Sequence, residues 1–277
     1  MKLVFNSWLI FSPFIRLQLA IQTRKMGAEK DSPASKADIQ PFITTYNISL
    51  VELEQPDPTK YDNFNQFFYR KLKPDARPID SQANVLVSAA DCRLAVYSTI
   101  SDATRVWIKG STFSLANLFK DNDLAQQFDG GSIAIFRLAP QDYHRYHSPV
   151  DGTIVSNRDI KGAYYTVNPM AVRTDLNVFT ENRRIVTVIK SDTFGQVAYV
   201  QIGALLVGSI IQTGAGKIGN VVKKGDEMGY FAYGGSTIVT VFQKDKVKFD
   251  SDLITSSDNA LETIVRVGEH IGTTAAT

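Results

Sequence analysis

From residue 84 onward the sequence is dominated by short apolar runs rich in β-branched and aromatic residues. Glycine, aspartate, asparagine and proline separate these runs, a pattern that predicts strands joined by turns. The runs are NVLVSAADCRLAVYSTI, GSIAIFRLA, RRIVTVIK, VAYVQIGALLVGSII, STIVTVF and KVKF. We therefore expect a mostly antiparallel β domain over residues 81–277. This feature limits the possible folds more than any other in the chain.

The first 80 residues have a different pattern and predict helices. Within residues 60–73, apolar side chains recur at spacings of three and four, which is typical of an amphipathic helix. They are Tyr61, Phe64, Phe67, Phe68 and Leu72, and we interpret the aromatics as core residues. Residues 22–40 are polar and small and predict a linker or exposed loop, with Ser35 as a helix cap. The predicted fold class is α+β, mostly β, with N-terminal amphipathic helices.

The N-terminal segment allows several interpretations. No charge occurs from Leu3 to Ile15, apolar residues such as Trp8 and Phe11 recur at helical spacing, and Lys2 and Arg16 flank the run. The run is too short to span a bilayer. It fits a signal peptide poorly, since no clear cleavage site follows. The remaining alternatives are a helix packed on its own domain and a helix lying in a membrane interface.

Composition excludes several kinds of chemistry. The net charge of +2 comes from 30 basic and 28 acidic residues, so no nucleic-acid partner is expected. The single cysteine, Cys92, excludes a disulfide within the chain and a thiolate metal cluster, and is expected to be a small buried side chain. With only three histidines in the chain, we expect no metal site.

Two of the histidines lie within RLAPQDYHRYHSPVDG, residues 137–152. His144 and His147 are three residues apart and would share a face in a helical turn. The window can be a turn with local hydrogen bonds, half of a metal site, or the source of a histidine base.

An aspartate and a serine stand out in apolar surroundings elsewhere. Asp91, in VSAADCRLAVY, either caps a turn or orients a histidine. Ser236 follows Gly234 and Gly235 directly before a predicted strand. It lacks the Gly-x-Ser-x-Gly pattern of a nucleophile elbow. Either it belongs to a simple turn, or its hydroxyl attacks the preceding carbonyl, since glycine tolerates the strain that this attack needs. Asp91, His147 and Ser236 form a candidate acid–base–nucleophile set.

The chain resembles the phosphatidylserine decarboxylase family over residues 30–272. Five blocks in order carry the resemblance: SAADCR, FRLAPQDYHRYHSPVDG, YYTVNP, GALLVGSI and KKGDEMGYFAYGGSTIV. Two flanking segments, FFYRKLKPDARPID and LETIVRVGEHIG, match as well. The aspartate motif of the family often reads Ser-Pro-Ala-Asp-Gly-Arg. Here Ala89 replaces the proline and Cys92 the glycine, but the aspartate and arginine remain.

The resemblance implies a self-cleaving enzyme with a built-in cofactor. It implies that His147, oriented by Asp91, takes the proton of Ser236, which attacks the Gly235 carbonyl. The chain would then split between residues 235 and 236 and leave a covalent pyruvoyl group, a form of pyruvate, at Ser236. That group would form a Schiff base with the substrate amine and draw electrons from the breaking bond to CO₂. His144 is implied as the proton handler in the decarboxylation.

The predicted function is decarboxylation of phosphatidylserine to phosphatidylethanolamine by a heterodimer of the two cleavage fragments, with higher oligomers open. We expect a peripheral membrane protein. The compartment stays undetermined. One alternative is a pyruvoyl decarboxylase of the same family that acts on a free amino acid such as L-tryptophan. Another is a non-catalytic β scaffold in which Gly-Gly-Ser-Thr is only a turn.

Overall fold

The computed structural model describes most of the chain. The described residues are 13–108, 113–167, 172, 177–204, 209–234 and 236–275. Two sequence predictions therefore fall outside the description. Trp8 and Phe11 of the N-terminal apolar segment lie there, and so does Gly235 of the predicted cleavage site.

Helices dominate the N-terminal part of the described chain, and short helices recur between strands later. The α-helices are α1 (Pro13–Asp31), α2 (Ile39–Tyr46), α3 (Phe64–Phe68), α4 (Ile100–Val106), α5 (Leu115–Phe119), α6 (Asn122–Gln127), α7 (Val178–Glu181) and α8 (Ser251–Asp258). Short 3₁₀ helices lie at Pro33–Asp38, Pro58–Lys60 and Gly214–Gly216. Among these helices, none is long and apolar enough to cross a membrane.

The strands begin at residue 85, close to where the sequence pattern changes. They are β1 (Val85–Val87), β2 (Cys92–Tyr97), β3 (Ser132–Leu138), β4 (Arg145–His147), β5 (Gly152–Ile160), β6 (Arg184–Ser191), β7 (Gly195–Gly203), β8 (Ile210–Gln212), β9 (Val221–Val222), β10 (Glu227–Phe231), β11 (Ser236–Phe242), β12 (Val247–Phe249), β13 (Thr263–Val265) and β14 (His270–Thr274). All their pairings are antiparallel, which confirms the predicted fold class. The division into domains at residue 80 stays a prediction.

One large sheet organises the molecule. Its eight strands run in the order β13-β2-β3-β11-β7-β6-β5-β9. β11 is paired along its whole length with β3 on one side and β7 on the other. Two three-stranded sheets, β1-β14-β12 and β4-β10-β8, complete the β structure.

Both faces of the large sheet are buried, which explains the nearly continuous apolar sequence of β11. Successive side chains of a strand point to opposite faces. Ile238 and Phe242 accordingly pack into one hydrophobic cluster, and Val239 and Val241 pack into the other. Cys92 is buried in the first cluster, as predicted, and burial raises the pKa of its thiol.

The predicted aromatic cluster forms, but the predicted helix over residues 60–73 is wrong in its extent. Tyr61, Phe64, Phe67 and Phe68 are buried in a third cluster. Only α3 is helical, since Asn63 caps its first turn and Tyr69 leaves the helical conformation. The chain then extends toward an isolated bridge between Leu72 and Leu53, so tertiary contacts end the helix early.

The predicted linker over residues 22–40 is also wrong. α1 continues to Asp31, and a 3₁₀ helix and α2 follow it closely. Many side chains along the end of α1 are exposed, so the polar composition reflects a solvated helix face and not a loop. Ser35 is no helix cap. Its buried hydroxyl donates to the Lys30 carbonyl and accepts the amide of Phe64, which joins this segment to α3.

Candidate active site

Ser236 lies in the centre of the molecule. It is the first residue of β11, is fully buried, and pairs with Leu138 of β3 and Gly203 of β7. The pairing with Leu138 sets the site, because the turn that follows β3 must then pass close to the serine. That turn, from Ala139 to Asp142, leads directly to His144.

The hydroxyl of Ser236 contacts an imidazole ring. Its Oγ lies 3.2 Å from the Nδ1 of His144, and the Nε2 of the same ring lies 3.0 Å from the carbonyl oxygen of Ala139. A carbonyl oxygen only accepts, so Nε2 carries the ring proton. Nδ1 is therefore the lone-pair nitrogen, and the Ser236 hydroxyl donates to it. This is the arrangement of a serine hydroxyl against a histidine acceptor.

The surroundings of His144 keep the ring neutral. The ring is fully buried and stacks on Phe68, with 4.0 Å between ring centroids. Burial lowers the pKa of His144 to about 3, and the positive charge of Arg70 contributes to the lowering. His144 is thus well suited to accept a hydrogen bond and poorly suited to hold a proton in the uncleaved chain.

Arg70 fastens the chain on both sides of this ring. Its guanidinium is buried and donates to the carbonyl oxygens of Gln141 at 2.8 Å, Asp142 at 3.3 Å and Phe68 at 3.4 Å. Among the described residues no carboxylate lies within ion-pair distance of it, and its Nε has no hydrogen-bond partner. Burial lowers the pKa of Arg70 to about 10, so the group stays charged near neutral pH.

His147 lies on the other side of strand β4. Its Nδ1 donates to the Gly225 carbonyl oxygen at 2.7 Å, which leaves Nε2 to accept the Tyr143 hydroxyl at 3.2 Å. Side chains three apart in a strand face opposite ways, so the shared face of a helical turn does not form here. Loss of water around the ring lowers the pKa of His147, while the charges of Glu227 and Asp91 act to raise it.

The carboxylate of Asp91 is engaged by an arginine. Its oxygens accept from the Nε of Arg77 at 3.0 Å and from the Nη2 at 2.5 Å, and the Val267 amide donates to it at 2.9 Å. Arg77 also pairs with Glu52 at 3.0 Å. Asp91 is therefore near enough to His147 to affect its pKa, but its hydrogen bonds are to other groups.

Two cavities flank this part of the site. One of about 270 Å³ is lined by Asp91, Arg70 and Tyr143, among others. The other, of about 370 Å³, is lined by His147, Tyr143 and Arg77, among others. Tyr143 lines both cavities. His147 therefore has access to an open space, in contrast to the enclosed ring of His144.

The structure thus brings together two of the four predicted site residues. Ser236 and His144 are in hydrogen-bond contact, while His147 and Asp91 lie in adjacent, separate networks. On the N-terminal side of the serine, Gly234 has a φ of 129°, a conformation that residues with a side chain rarely adopt. The first of the two glycines is therefore required by the backbone.

Sequence reasoning did not assign roles to Phe68, Arg70, Arg77 or Tyr143. The first three lie in or next to the flanking block FFYRKLKPDARPID, and Tyr143 lies in the histidine block. A buried arginine in a strongly aromatic segment was the available signal, because a buried guanidinium needs acceptors elsewhere in the fold.

Comparison with known proteins agrees with the resemblance seen in the sequence. The family model described as phosphatidylserine decarboxylase matches residues 64–273. Phosphatidylserine decarboxylase proenzyme of Fusobacterium nucleatum is 42% identical over 271 residues, which is 96% of this chain and 89% of the relative. The proenzyme of Clostridium perfringens is 40% identical over 276 residues, 98% of this chain and 93% of the relative.

Eukaryotic relatives match over a smaller share of their length. Phosphatidylserine decarboxylase proenzyme 3 of Schizosaccharomyces pombe is 47% identical over 252 residues, 90% of this chain. The chain spans 26% of that relative, 25% of one from Komagataella phaffii and 40% of one from Oryza sativa. The family match and the bacterial relatives establish that this chain belongs to the phosphatidylserine decarboxylase family.

Proposed function

We propose that this chain cleaves itself between Gly235 and Ser236 and then decarboxylates phosphatidylserine to phosphatidylethanolamine. One observation carries the proposal. A buried serine hydroxyl donates to an imidazole nitrogen directly after a glycine with positive φ, in a chain of this family.

The cleavage converts an amide into an ester and then breaks the ester. The Ser236 oxygen attacks the Gly235 carbonyl carbon, the bond to the Ser236 nitrogen breaks, and that nitrogen takes a proton. Loss of the Ser236 Cα proton then expels the Gly235 carboxylate and leaves dehydroalanine. Water addition and loss of ammonia convert this residue into pyruvoyl. Serine is needed because another side chain would change the leaving atom or the product.

The residues around position 236 fit the group that this reaction would form. The position is buried, so a ketone there is protected from bulk water, and the His144 ring lies beside it. A pyruvoyl group supplies an electron-withdrawing ketone for breaking the bond between the substrate Cα and its carboxylate. His144 is the side chain placed to handle a proton at this position.

Contact and electrostatics favour different histidines for the cleavage step. The hydrogen bond places His144 on Ser236. Protonating a histidine with a pKa of about 3 at neutral pH costs about 5 kcal/mol, however. The carboxylates of Asp91 and Glu227 favour the charged form of His147, which also faces a cavity. We therefore propose His147, supported by Asp91, as the group that carries the proton during cleavage, with His144 acting in decarboxylation.

The architecture supports a product made of two associated fragments. The small fragment, residues 236–277, begins with β11, which is held between β3 and β7 over seven residue pairs on each side. β13 and β14 of the same fragment pair with β2 and β1. The backbone hydrogen bonds across this boundary do not depend on the broken peptide bond, so the fragments are expected to stay together.

A lipid substrate implies contact with a membrane surface. Phe14, Leu17 and Ile21 of α1 are each more than half exposed and lie on one face of the helix, at spacings of three and four. We propose that this face lies in the membrane interface and that the protein binds membranes peripherally.

Mass spectrometry and a CO₂ assay test the function together. The wild-type chain should give two fragments that separate only in denaturant, the small one with a blocked N-terminus. The processed protein should release CO₂ from phosphatidylserine, and Ser236→Ala should stay full-length at 30.7 kDa and inactive. An active preparation of uncleaved chain would reject the mechanism. Release of CO₂ from free L-tryptophan or L-serine, but not from the lipid, would reject the substrate.

A further inference from the structure

A cavity of about 420 Å³ lies between α1 and the segment that leads to Ser236. One wall comes from α1, and the others come from α3, from the segment before β6 and from the segment after β10. Its lining includes Thr23, Arg24, Gly27, Ala28 and Asp31 of α1, with Asn65, Arg183 and Tyr233 opposite.

The chain connects this cavity directly to the site. Tyr233 lines it, and Ser236 is three residues further on, at most about 11 Å away along an extended backbone. The Asn65 side chain fixes this end of the chain, because its Oδ1 accepts the Tyr233 amide at 2.8 Å. Its Nδ2 donates to Asp31 of α1 at 2.7 Å, so the helix and the cleavage segment are tied through one buried side chain.

The cavity opens beside the exposed apolar face of α1. Phe14, Leu17 and Ile21 are followed at the same spacing by Arg24 and Ala28, which line the cavity. Leu19, on the opposite side of the helix, packs against the core of the protein. The apolar face therefore ends at an arginine at the edge of the cavity.

The charges around the cavity favour an anion. Asp31 is its one acidic lining residue within the described chain, and that carboxylate already accepts from Asn65. Arg24 is exposed and forms no ion pair with any carboxylate that the structure describes. Arg183 contributes a second guanidinium, which Asp159 holds in place at 3.0 Å. Two guanidinium groups across a small cavity match the geometry of a phosphate.

We infer that this cavity binds the phosphate of the phospholipid substrate, with Arg24 and Arg183 as its ligands and the acyl chains along Phe14, Leu17 and Ile21. The inference rests on the proposed function. The apolar face takes hydrocarbon, and the arginine that follows it meets the phosphate. The amine of the headgroup, a few covalent bonds further on, is directed toward residue 236.

Steady-state kinetics with a short-chain, water-soluble phosphatidylserine test this site without a membrane. The processed wild type is compared with Arg24→Gln, Arg24→Lys and Lys25→Gln, after mass spectrometry has confirmed cleavage of each. Lys25 is the matched control, because it is an exposed cation on the same helical turn that does not line the cavity. Arg24→Gln should raise KM about tenfold or more with little change in kcat, since it removes a charged hydrogen bond. Arg24→Lys should restore part of the loss, and Lys25→Gln should behave as wild type.

The outcomes separate this site from the function itself. Wild-type turnover of the short-chain lipid with an unchanged KM in Arg24→Gln would overturn the phosphate site and leave the decarboxylase standing. An equal rise of KM in Lys25→Gln would also overturn it, because the effect would then be one of general charge. A cleaved wild type that releases no CO₂ from the lipid would reject the function, and this site with it.

Discussion

The Nδ1 of His144 accepts the hydroxyl of Ser236 at 3.2 Å, across 92 residues of sequence. The proton on Nε2, held by the carbonyl of Ala139, determines that Nδ1 is the accepting nitrogen. His147, the base expected from the family resemblance, donates to Gly225 and accepts from Tyr143. The division of work between the two histidines is therefore the central point to test.

We expect His147→Ala and Asp91→Asn to stay full-length, and His144→Ala to be cleaved but to turn over substrate slowly. The physical reason is that His147 can carry a proton, supported by the Asp91 charge, whereas burial disfavours a charged His144. Loss of an orienting aspartate costs about four orders of magnitude in serine hydrolases. Intact mass after expression, and CO₂ release by the cleaved variants, measure the two steps separately.

Arg77→Gln is the matched control for Asp91→Asn. It removes the same ion pair but leaves the carboxylate in place. Normal cleavage of Arg77→Gln beside blocked cleavage of Asp91→Asn would attribute the effect to the carboxylate. If instead His144→Ala stays full-length and His147→Ala is cleaved, the histidine in contact with Ser236 is the base and our assignment is wrong.

Arg70 should act on His144 through its charge and through its hydrogen bonds, and two variants separate these effects. In the uncleavable Ser236→Ala chain, Arg70→Met should raise the pKa of His144, because it removes the positive charge that helps to lower it. Arg70→Lys keeps the charge and should leave that pKa low. NMR titration of the ring measures both, and an unchanged pKa in Arg70→Met would show that the arginine is only a structural element.

Both Arg70 variants should also be less stable. Each leaves carbonyl oxygens of Gln141 and Asp142 without their donor, at about 1–3 kcal/mol for an unsatisfied buried group. Urea unfolding of the Ser236→Ala chain with and without the substitution gives the difference. Equal stability of all three chains would mean that water or another donor replaces the guanidinium.

Acid should destabilise the protein through His144. Its folded pKa of about 3 lies below its ordinary value of 6.5, so the unfolded chain binds the proton first as pH falls. The stabilisation is therefore complete above pH 6.5 and is lost toward pH 3, at about 1.4 kcal/mol per pH unit. Urea unfolding of the Ser236→Ala chain at pH 7, 6 and 5 should show this slope, and adding His144→Gln should reduce it. The same slope in both chains would contradict the neutral buried ring.

The exposed face of α1 should mediate membrane binding. Substituting Leu17 and Ile21 together by Gln should weaken sedimentation with phosphatidylserine vesicles, because each exchange removes apolar area that the interface would bury. Ile218→Gln with Val221→Gln is the control, since these apolar residues are also more than half exposed but lie elsewhere. Equal binding of both double variants and wild type would place membrane contact on another surface.

Local sequence was sufficient for much of the β structure and for identifying the serine. Strand and turn residues alternate from residue 84 on, and this information is local, because side-chain period and turn chemistry act over a few residues. The helices were predicted less well. Residues 22–31 are polar because α1 is exposed, and the helix at 64–68 ends early because Leu72 bridges to Leu53.

Which groups meet at the serine was decided only by the tertiary structure. Sequence spacing treated His144 and His147 alike, but strand β4 turns them to opposite sides. The register of β11 against β3 sets Ser236 opposite Leu138 and so brings the turn before His144 to the hydroxyl. Arg77 engages Asp91, and Arg70 reaches Gln141. These contacts depend on strand register and on long side chains crossing between elements, which no short stretch of sequence specifies.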